Sequence, residues 1–89
     1  MVILSDSGAS CVDAMGLDIR VARRQNEDGS VASWFQLIGY GYGFEVLLGE
    51  FALEEQVRDI FNDILAKMRK GVDFYDVQEC RRKFEGRRG

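Results

Sequence analysis

The stretch FEVLLGEFALEEQVRDIFNDILAKMRKG, residues 44–71, decides the fold. It opens with a short apolar run, residues 44–48, that is typical of a buried strand, and Gly49 predicts a turn directly after it. From there the apolar residues recur at spacings of three and four, which predicts one stripe of an α-helix over about residues 53–70. The stripe consists of Leu53, Val57, Ile60, Phe61, Ile64, Leu65 and Met68. Because such a stripe must be buried, the stretch predicts a helix that packs on a sheet.

The two ends of this helix are marked by charge and by glycine. Acidic residues occupy the first turn and basic residues the last, which gives favourable signs against the helix dipole. They are Glu54 and Glu55, then Lys67, Arg69 and Lys70. Gly71 suits the left-handed conformation that ends many helices. No Ser, Thr, Asp or Asn stands near Ala52 as an N-cap, a deficit of about 1 kcal/mol that packing must offset.

The part of the chain before this stretch is rich in predicted strands. Besides the run 44–48, candidate strands cover residues 2–5, 10–13, 17–24 and 31–40. Residues 17–23 alternate strictly between apolar and polar side chains, as a half-buried strand does. Asp28-Gly29 can adopt the positive φ of a tight hairpin, so strands 17–24 and 31–40 should pair antiparallel. The sequence therefore predicts an α+β fold with a small antiparallel sheet of four to five strands packed on one amphipathic helix.

The end of the chain carries weaker patterns. Residues 72–77 can form a short strand that returns to the sheet edge, and Val77, Cys80 and Phe84 have helical spacing. We expect a single α+β domain over residues 1–77. Residues 78–89 then form a basic C-terminal tail, for which a short helix is the alternative.

Composition and charge limit the classes of protein to which the chain can belong. The chain has 89 residues, of which 46% are hydrophobic and 30% charged, as in a globular domain. Its net charge of −3 is uneven, because residues 1–66 hold four basic against eleven acidic residues and residues 67–89 hold eight against four. An acidic body of this kind repels a nucleic-acid backbone. With no basic N-terminal region and no apolar run of membrane-spanning length, we expect a cytoplasmic protein with no membrane contact.

No cluster of residues reaches the specificity of a catalytic or metal motif. The chain has no histidine, which removes imidazole acid–base catalysis and most zinc sites. Its two cysteines lack metal-ligand spacing and are expected to be reduced. The acidic series Glu55, Asp59 and Asp63 favours a solvated helix face over a cation site, and residues 5–10 favour a turn over a phosphate loop. We expect a protein that is not an enzyme and takes no cofactor and no metal.

A binding partner is expected from the strand 31–40, which carries large apolar side chains on both faces. One helix covers one face, so Trp34, Ile38 and Tyr40 need a second cover, for which residues 77–85, a second copy of the chain and the functional target are the alternatives. We favour a homodimer, with another protein bound at this face or at loop 39–43 as a further possibility. The alternative is a module that sequesters a nucleotide-like ligand by charge and stacking, using Arg23, Arg24, Trp34 and Tyr42.

Several short patterns resemble a group of small uncharacterised proteins of Gram-positive bacteria and their phages. They are Val2-Ile3-Leu4-Ser5, Asp28-Gly29, Leu47-Leu48-Gly49-Glu50-Phe51, Glu54-Glu55 with Ile60-Phe61, and Phe74-Tyr75-Asp76-Val77. The resemblance spans residues 2–77, and this chain departs from the group in lacking a Ser or Thr cap before the helix. It implies a place in a prophage or mobile element and no activity.

Overall fold

The computed structural model describes residues 1–88 and has an α+β fold. The elements in chain order are β1 (Val2–Leu4), β2 (Cys11–Asp13), β3 (Gly16–Gln25), β4 (Val31–Tyr40), β5 (Glu45–Phe51), α1 (Glu54–Arg69), β6 (Phe74–Asp76) and α2 (Val77–Arg88). The α+β class predicted from the sequence is therefore confirmed.

Within the described residues the strands form two sheets of three strands each, in the orders β2-β1-β6 and β3-β4-β5. The expected count of four to five strands is close, but a single antiparallel sheet is wrong. β1 pairs antiparallel with β2 and parallel with β6. A parallel pair needs a long crossover, which the second sheet and α1 supply between β1 and β6.

The hairpin of β3 and β4 is the longest regular feature of the fold. Its register is unbroken from Gly16 opposite Tyr40 to Gln25 opposite Val31. At the tip Gly29 has a φ of 86°, and the Asp28 carboxylate accepts hydrogen bonds from the backbone N–H and the hydroxyl of Ser30. The predicted hairpin and its turn chemistry are confirmed.

The predicted turn at Gly49 is wrong, because β5 runs on to Phe51. Leu37 lies opposite Gly49 whereas Ile38 lies opposite Leu47, so Leu48 is an extra residue at a β-bulge. A Cβ on Gly49 would lie only 3.0 Å from the Phe51 ring. Glycine here permits close packing of a ring and does not reverse the chain.

Helix α1 lies where its apolar stripe predicts, with Val57, Ile60 and Ile64 buried. Its N-cap is Leu53, whose side chain makes no capping hydrogen bond, in agreement with the missing cap residue. The core draws on both sheets and both helices. It contains Ile3, Val12, Ala14, Leu37, Leu48, Phe51, Val57, Ile60, Ile64, Tyr75 and Val77.

Helix α2 follows β6 directly and packs on the same core. Val77 is fully buried, and Cys80 and Phe84 are partly buried against the core cluster, as their helical spacing suggests. Cys80 and Cys11 are both free thiols. Gly89, the last residue of the expected tail, lies outside the described residues.

Arg81 joins α2 to the β1–β2 turn and to β5. Its Nη1 donates to Asp6 Oδ2 and to the backbone carbonyl of Glu50, each at 2.8 Å. Its Nε donates to Glu85 Oε1 at 2.8 Å, and the guanidinium carbon lies 4.2 Å from the centre of the Phe51 ring. A residue that composition assigns to a basic tail is therefore fixed by four contacts and is only 22% exposed at its side chain.

Candidate functional site

The sheet β3-β4-β5 has one face on the core and one face directed away from it, which we call the outer face. Alternation along the strands and the observed register define its members. They are Gly16, Asp18, Arg20, Ala22, Arg24, Ala32, Trp34, Gln36, Ile38, Tyr40, Glu45, Leu47 and Glu50. Within the described residues no helix or strand covers this face.

A cluster of charges closes one end of the outer face. Arg20 donates to both oxygens of Glu45, at 3.0 and 2.6 Å, and to the Tyr40 hydroxyl at 2.7 Å. Tyr40 in turn donates to Asp18 at 3.2 Å. The bidentate bond to Arg20 lowers the pKa of Glu45, and the same bond is the main reason that the pKa of Arg20 is raised. Both groups therefore stay charged at neutral pH and hold each other in place.

The other end of the outer face is built around the only tryptophan. Trp34 donates its indole N–H to Glu50 Oε2, which also accepts from Gln36 Nε2 at 3.4 Å. Trp34 lines an open, shallow depression that extends to Ala52, two residues before α1 begins. Its other lining residues are Arg24, Ala32, Glu50, Phe51 and Ala52. An aromatic ring, a cation and a carboxylate thus surround a small apolar floor.

The middle of the outer face is less apolar than the sequence suggests. Ile38 is only 5% exposed, although the core cluster lies on the opposite side of the sheet. It stands between Asp18 and Leu47 on the neighbouring strands. Leu47 remains 43% exposed and is the largest open aliphatic group on this face.

The structure brings most of the predicted interface residues together. Trp34, Ile38, Tyr40 and Arg24 all belong to the outer face, and Arg24 shares the depression with Trp34.

Two residues of the predicted nucleotide site lie elsewhere. Arg23 points to the opposite face, because neighbouring residues of a strand alternate. Tyr42 lies in the β4–β5 loop and is 84% exposed. That loop begins beyond Tyr40, itself about 20 Å along β4 from Trp34.

The sequence interpretation missed the carboxylates that organise this face. Glu45 and Glu50 are separated from Arg20 and Trp34 along the chain, and their pairing depends on the register after the bulge. The only signal in the sequence was the polar side of residues 17–23, on which Asp18 and Arg20 fall together.

The charged groups of the outer face are engaged with one another. Arg20, Glu45 and Glu50 are all hydrogen-bonded to neighbouring side chains of this face. Among residues 1–88 no three Asp, Glu or Cys side chains converge as metal ligands. Burial and hydrogen bonds with Cys80 and Asp63 raise the pKa of Tyr75, so its hydroxyl stays protonated at neutral pH.

Comparison with known proteins adds no relative to this picture. Neither family models, nor curated proteins, nor solved structures gave a match to the chain. Neither described helix has the length and apolar character needed to cross a membrane. Fold and site together define a small α+β protein with one open, polar-edged sheet face.

Proposed function

We propose that this chain is a non-enzymatic interaction factor of the cytoplasm, which works as a homodimer and binds a partner protein through the outer face. The observation that carries the proposal is the depression around Trp34. Tryptophan and arginine are the side chains most enriched at the energetic centres of protein interfaces, and Trp34 and Arg24 stand there side by side.

The partner chemistry follows from the groups of the depression that are already bound. Glu50 is hydrogen-bonded by the indole and by Gln36. We infer that the partner places an apolar side chain against the Trp34 ring. The resemblance to small proteins of Gram-positive bacteria and their phages supports an origin in a prophage or mobile element, with a host protein as the partner.

The nucleotide-binding alternative has less support. Of its four residues only Arg24 and Trp34 share a surface, and Glu50 in the same depression would repel phosphate. The test therefore includes nucleotides as a competing outcome.

Affinity capture from an extract of a Gram-positive bacterium tests the proposal. The immobilised native chain is compared with Trp34→Ala and with Phe44→Ala, a matched loss of a half-exposed aromatic ring in the β4–β5 loop. We expect a protein retained by the native and Phe44→Ala chains and lost with Trp34→Ala. The purified partner should then bind the Trp34→Ala chain at least about tenfold more weakly in calorimetry.

Each variant is used only if its melting temperature shows that it folds. Equal capture by the Trp34→Ala chain would contradict the proposed surface. A melting temperature that rises with the concentration of ATP or another nucleotide would favour the sequestering module instead.

A further inference from the structure

The free edge of β3 is the longest uncovered strand edge in the described chain. β3 ends the sheet order and keeps an unbroken register with β4 over its whole length. Proteins normally protect such an edge with proline, a bulge or a covering element, because it presents unpaired backbone groups. The chain has no proline, and the pairing of β3 with β4 shows no bulge.

The hairpin geometry fixes which backbone groups point outward. Asn26 donates its N–H to the Ser30 carbonyl at 2.8 Å, in the same register as β3 and β4. Since antiparallel ladders alternate, the even-numbered residues of β3 bond to β4. The odd-numbered residues, Leu17 to Gln25, direct their N–H and C=O groups toward the free edge.

Val21 lies at the centre of these outward-directed residues. Val21 is 54% exposed on the hairpin. A second strand laid along the edge would cover it.

We propose that β3 pairs antiparallel with β3 of a second copy about a two-fold axis at Val21, so that the two sheets join into one of six strands. This inference rests on the homodimer proposed above and names its interface. Val21 then faces the partner's Val21, and Ile19 faces the aliphatic stem of the partner's Arg23. On the outer face Asp18 lies opposite the partner's Arg24, and symmetry forms that pair twice.

The charges needed for this pair are available. Asp18 Oδ2 accepts the hydrogen bonds from Arg20 and Tyr40, whereas Oδ1 has no hydrogen bond with any described residue. Arg24 is exposed and has no carboxylate partner among residues 1–88.

Other registers of the same symmetry are less favourable. An axis at Arg20 places Arg20 opposite the partner's Arg20, and an axis at Ala22 places Arg20 opposite the partner's Arg24. Both registers bring like charges together. An axis at Ile19 shortens the overlap to residues 16–22 and pairs Asp18 with the partner's Arg20, which Glu45 already holds. The axis at Val21 has no like-charge pair and uses the edge from Leu17 to Gln25.

Sedimentation velocity over a dilution series tests the interface with a matched pair of valines. Val21→Lys puts two ammonium groups across the axis and should weaken self-association at least about tenfold, because like charges directly opposite destabilise a strand pair. Val31→Lys changes a valine of the same hairpin and the same face, 64% exposed, on β4, which takes no part in the proposed interface. It should leave the dimer unchanged.

A charge exchange tests the register. Asp18→Arg and Arg24→Asp should each weaken the dimer about tenfold, and the chain with both changes should recover it, since opposite charges face each other again. Because Asp18 also contacts Arg20 and Tyr40, the melting temperature of each variant is measured to establish that the variant is folded. A folded double variant as weak as the single ones would overturn the register.

The outcomes separate this interface from the proposed function. A native dimer that Val21→Lys does not weaken overturns the β3 interface while leaving the homodimer in place. A native chain that stays monomeric at every concentration overturns the interface and the homodimer together. Neither result bears on capture of a partner protein through Trp34, which is measured separately.

Discussion

At the scale of single residues, one side chain of α2, Arg81, links several elements of this small fold. Arg81 combines hydrogen bonds to the β1–β2 turn, to β5 and to its own helix with a stacked position on Phe51. A planar guanidinium can satisfy all of these at once, and a lysine cannot. The sequence gives little sign of this role, because Arg81 stands in a basic run beside Arg82 and Lys83.

Replacing Arg81 tests its structural role. We expect Arg81→Ala to lower the free energy of unfolding by about 1.5–3 kcal/mol, since charge-assisted hydrogen bonds and a stacked contact are lost. Arg81→Lys should recover only part of that loss. Urea unfolding measures the change, and the exposed neighbour Arg82→Ala should stay within about 0.5 kcal/mol of the native chain. Equal losses of unfolding free energy for Arg81→Ala and Arg82→Ala would refute the structural role of Arg81.

Glu45 should make stability depend on pH. Because Arg20 lowers the pKa of Glu45 in the folded chain, the pair favours folding at pH values above the ordinary carboxyl pKa, about 4.3. That contribution is lost as the pH falls through the lowered pKa. We expect the free energy of unfolding of Glu45→Gln to fall less than that of the native chain between neutral pH and about pH 3.

The measurement is urea unfolding at a series of pH values. Glu27→Gln, a change at an exposed carboxylate of the hairpin turn, is the control and should keep the native pH dependence. If Glu45→Gln also keeps the native pH dependence of the free energy of unfolding, the ion pair with Arg20 contributes nothing to folding.

At the scale of the elements, α1 is well specified except at its N-cap. The acidic first turn and the basic last turn lie as predicted, and Gly71 follows with a φ of 76°. Leu53 occupies the N-cap in an extended conformation, and its backbone N–H is already held by Gln56 Oε1 at 3.2 Å. Half of a capping box is therefore present.

Completing this capping box should stabilise the chain. Ser at position 53 can accept a hydrogen bond from the Gln56 backbone, and the Leu53 side chain that it replaces is 51% exposed. We expect Leu53→Ser to raise the free energy of unfolding by about 0.5–1 kcal/mol in urea. Leu53→Ala removes the same side chain without adding a cap and should not stabilise. A gain with both variants would mean that the lost leucine, and not the cap, is responsible.

At the scale of the whole molecule, the chain is elongated for its length. Its radius of gyration is 13.8 Å, against about 12 Å expected for a compact domain of this size. The cause is the β3–β4 hairpin, since β5 pairs with β4 only as far as Phe35 and leaves the tip two-stranded. Val21 and Val31 are exposed along that extension.

Amide hydrogen exchange should reveal this extension. In the Val21→Lys chain, backbone amides of residues 22–32 should exchange much faster than those of Leu37 and Leu48, which are fully buried. In a native dimer joined at β3, the outward amides of Val21 and Arg23 should become protected. Uniform protection of the hairpin in the monomeric variant would contradict an isolated two-stranded tip.

Periodicity in the sequence predicts the local structure well and the long-range pairing poorly. The helix stripe and the Asp28-Gly29 turn depend on neighbouring residues, and both are confirmed. The bulge at Leu48 and the parallel pairing of β6 depend on contacts distant in the chain, which no local pattern encodes. For the same reason Trp34 and Tyr40 could be assigned to one face, whereas Glu50, which accepts from Trp34, and Glu45, which accepts from Arg20, could not.

The pairing of β1 with β6 bears on how the protein folds. Residues 2–4 hydrogen-bond to residues 74–76, so this strand pair closes a loop that contains most of the described chain. Closing so long a loop has a large entropic cost, and Ile3 and Val12 therefore stay without their final neighbours until late in folding. A partly folded chain in which these strands have not yet met exposes apolar core side chains to chaperones and proteases.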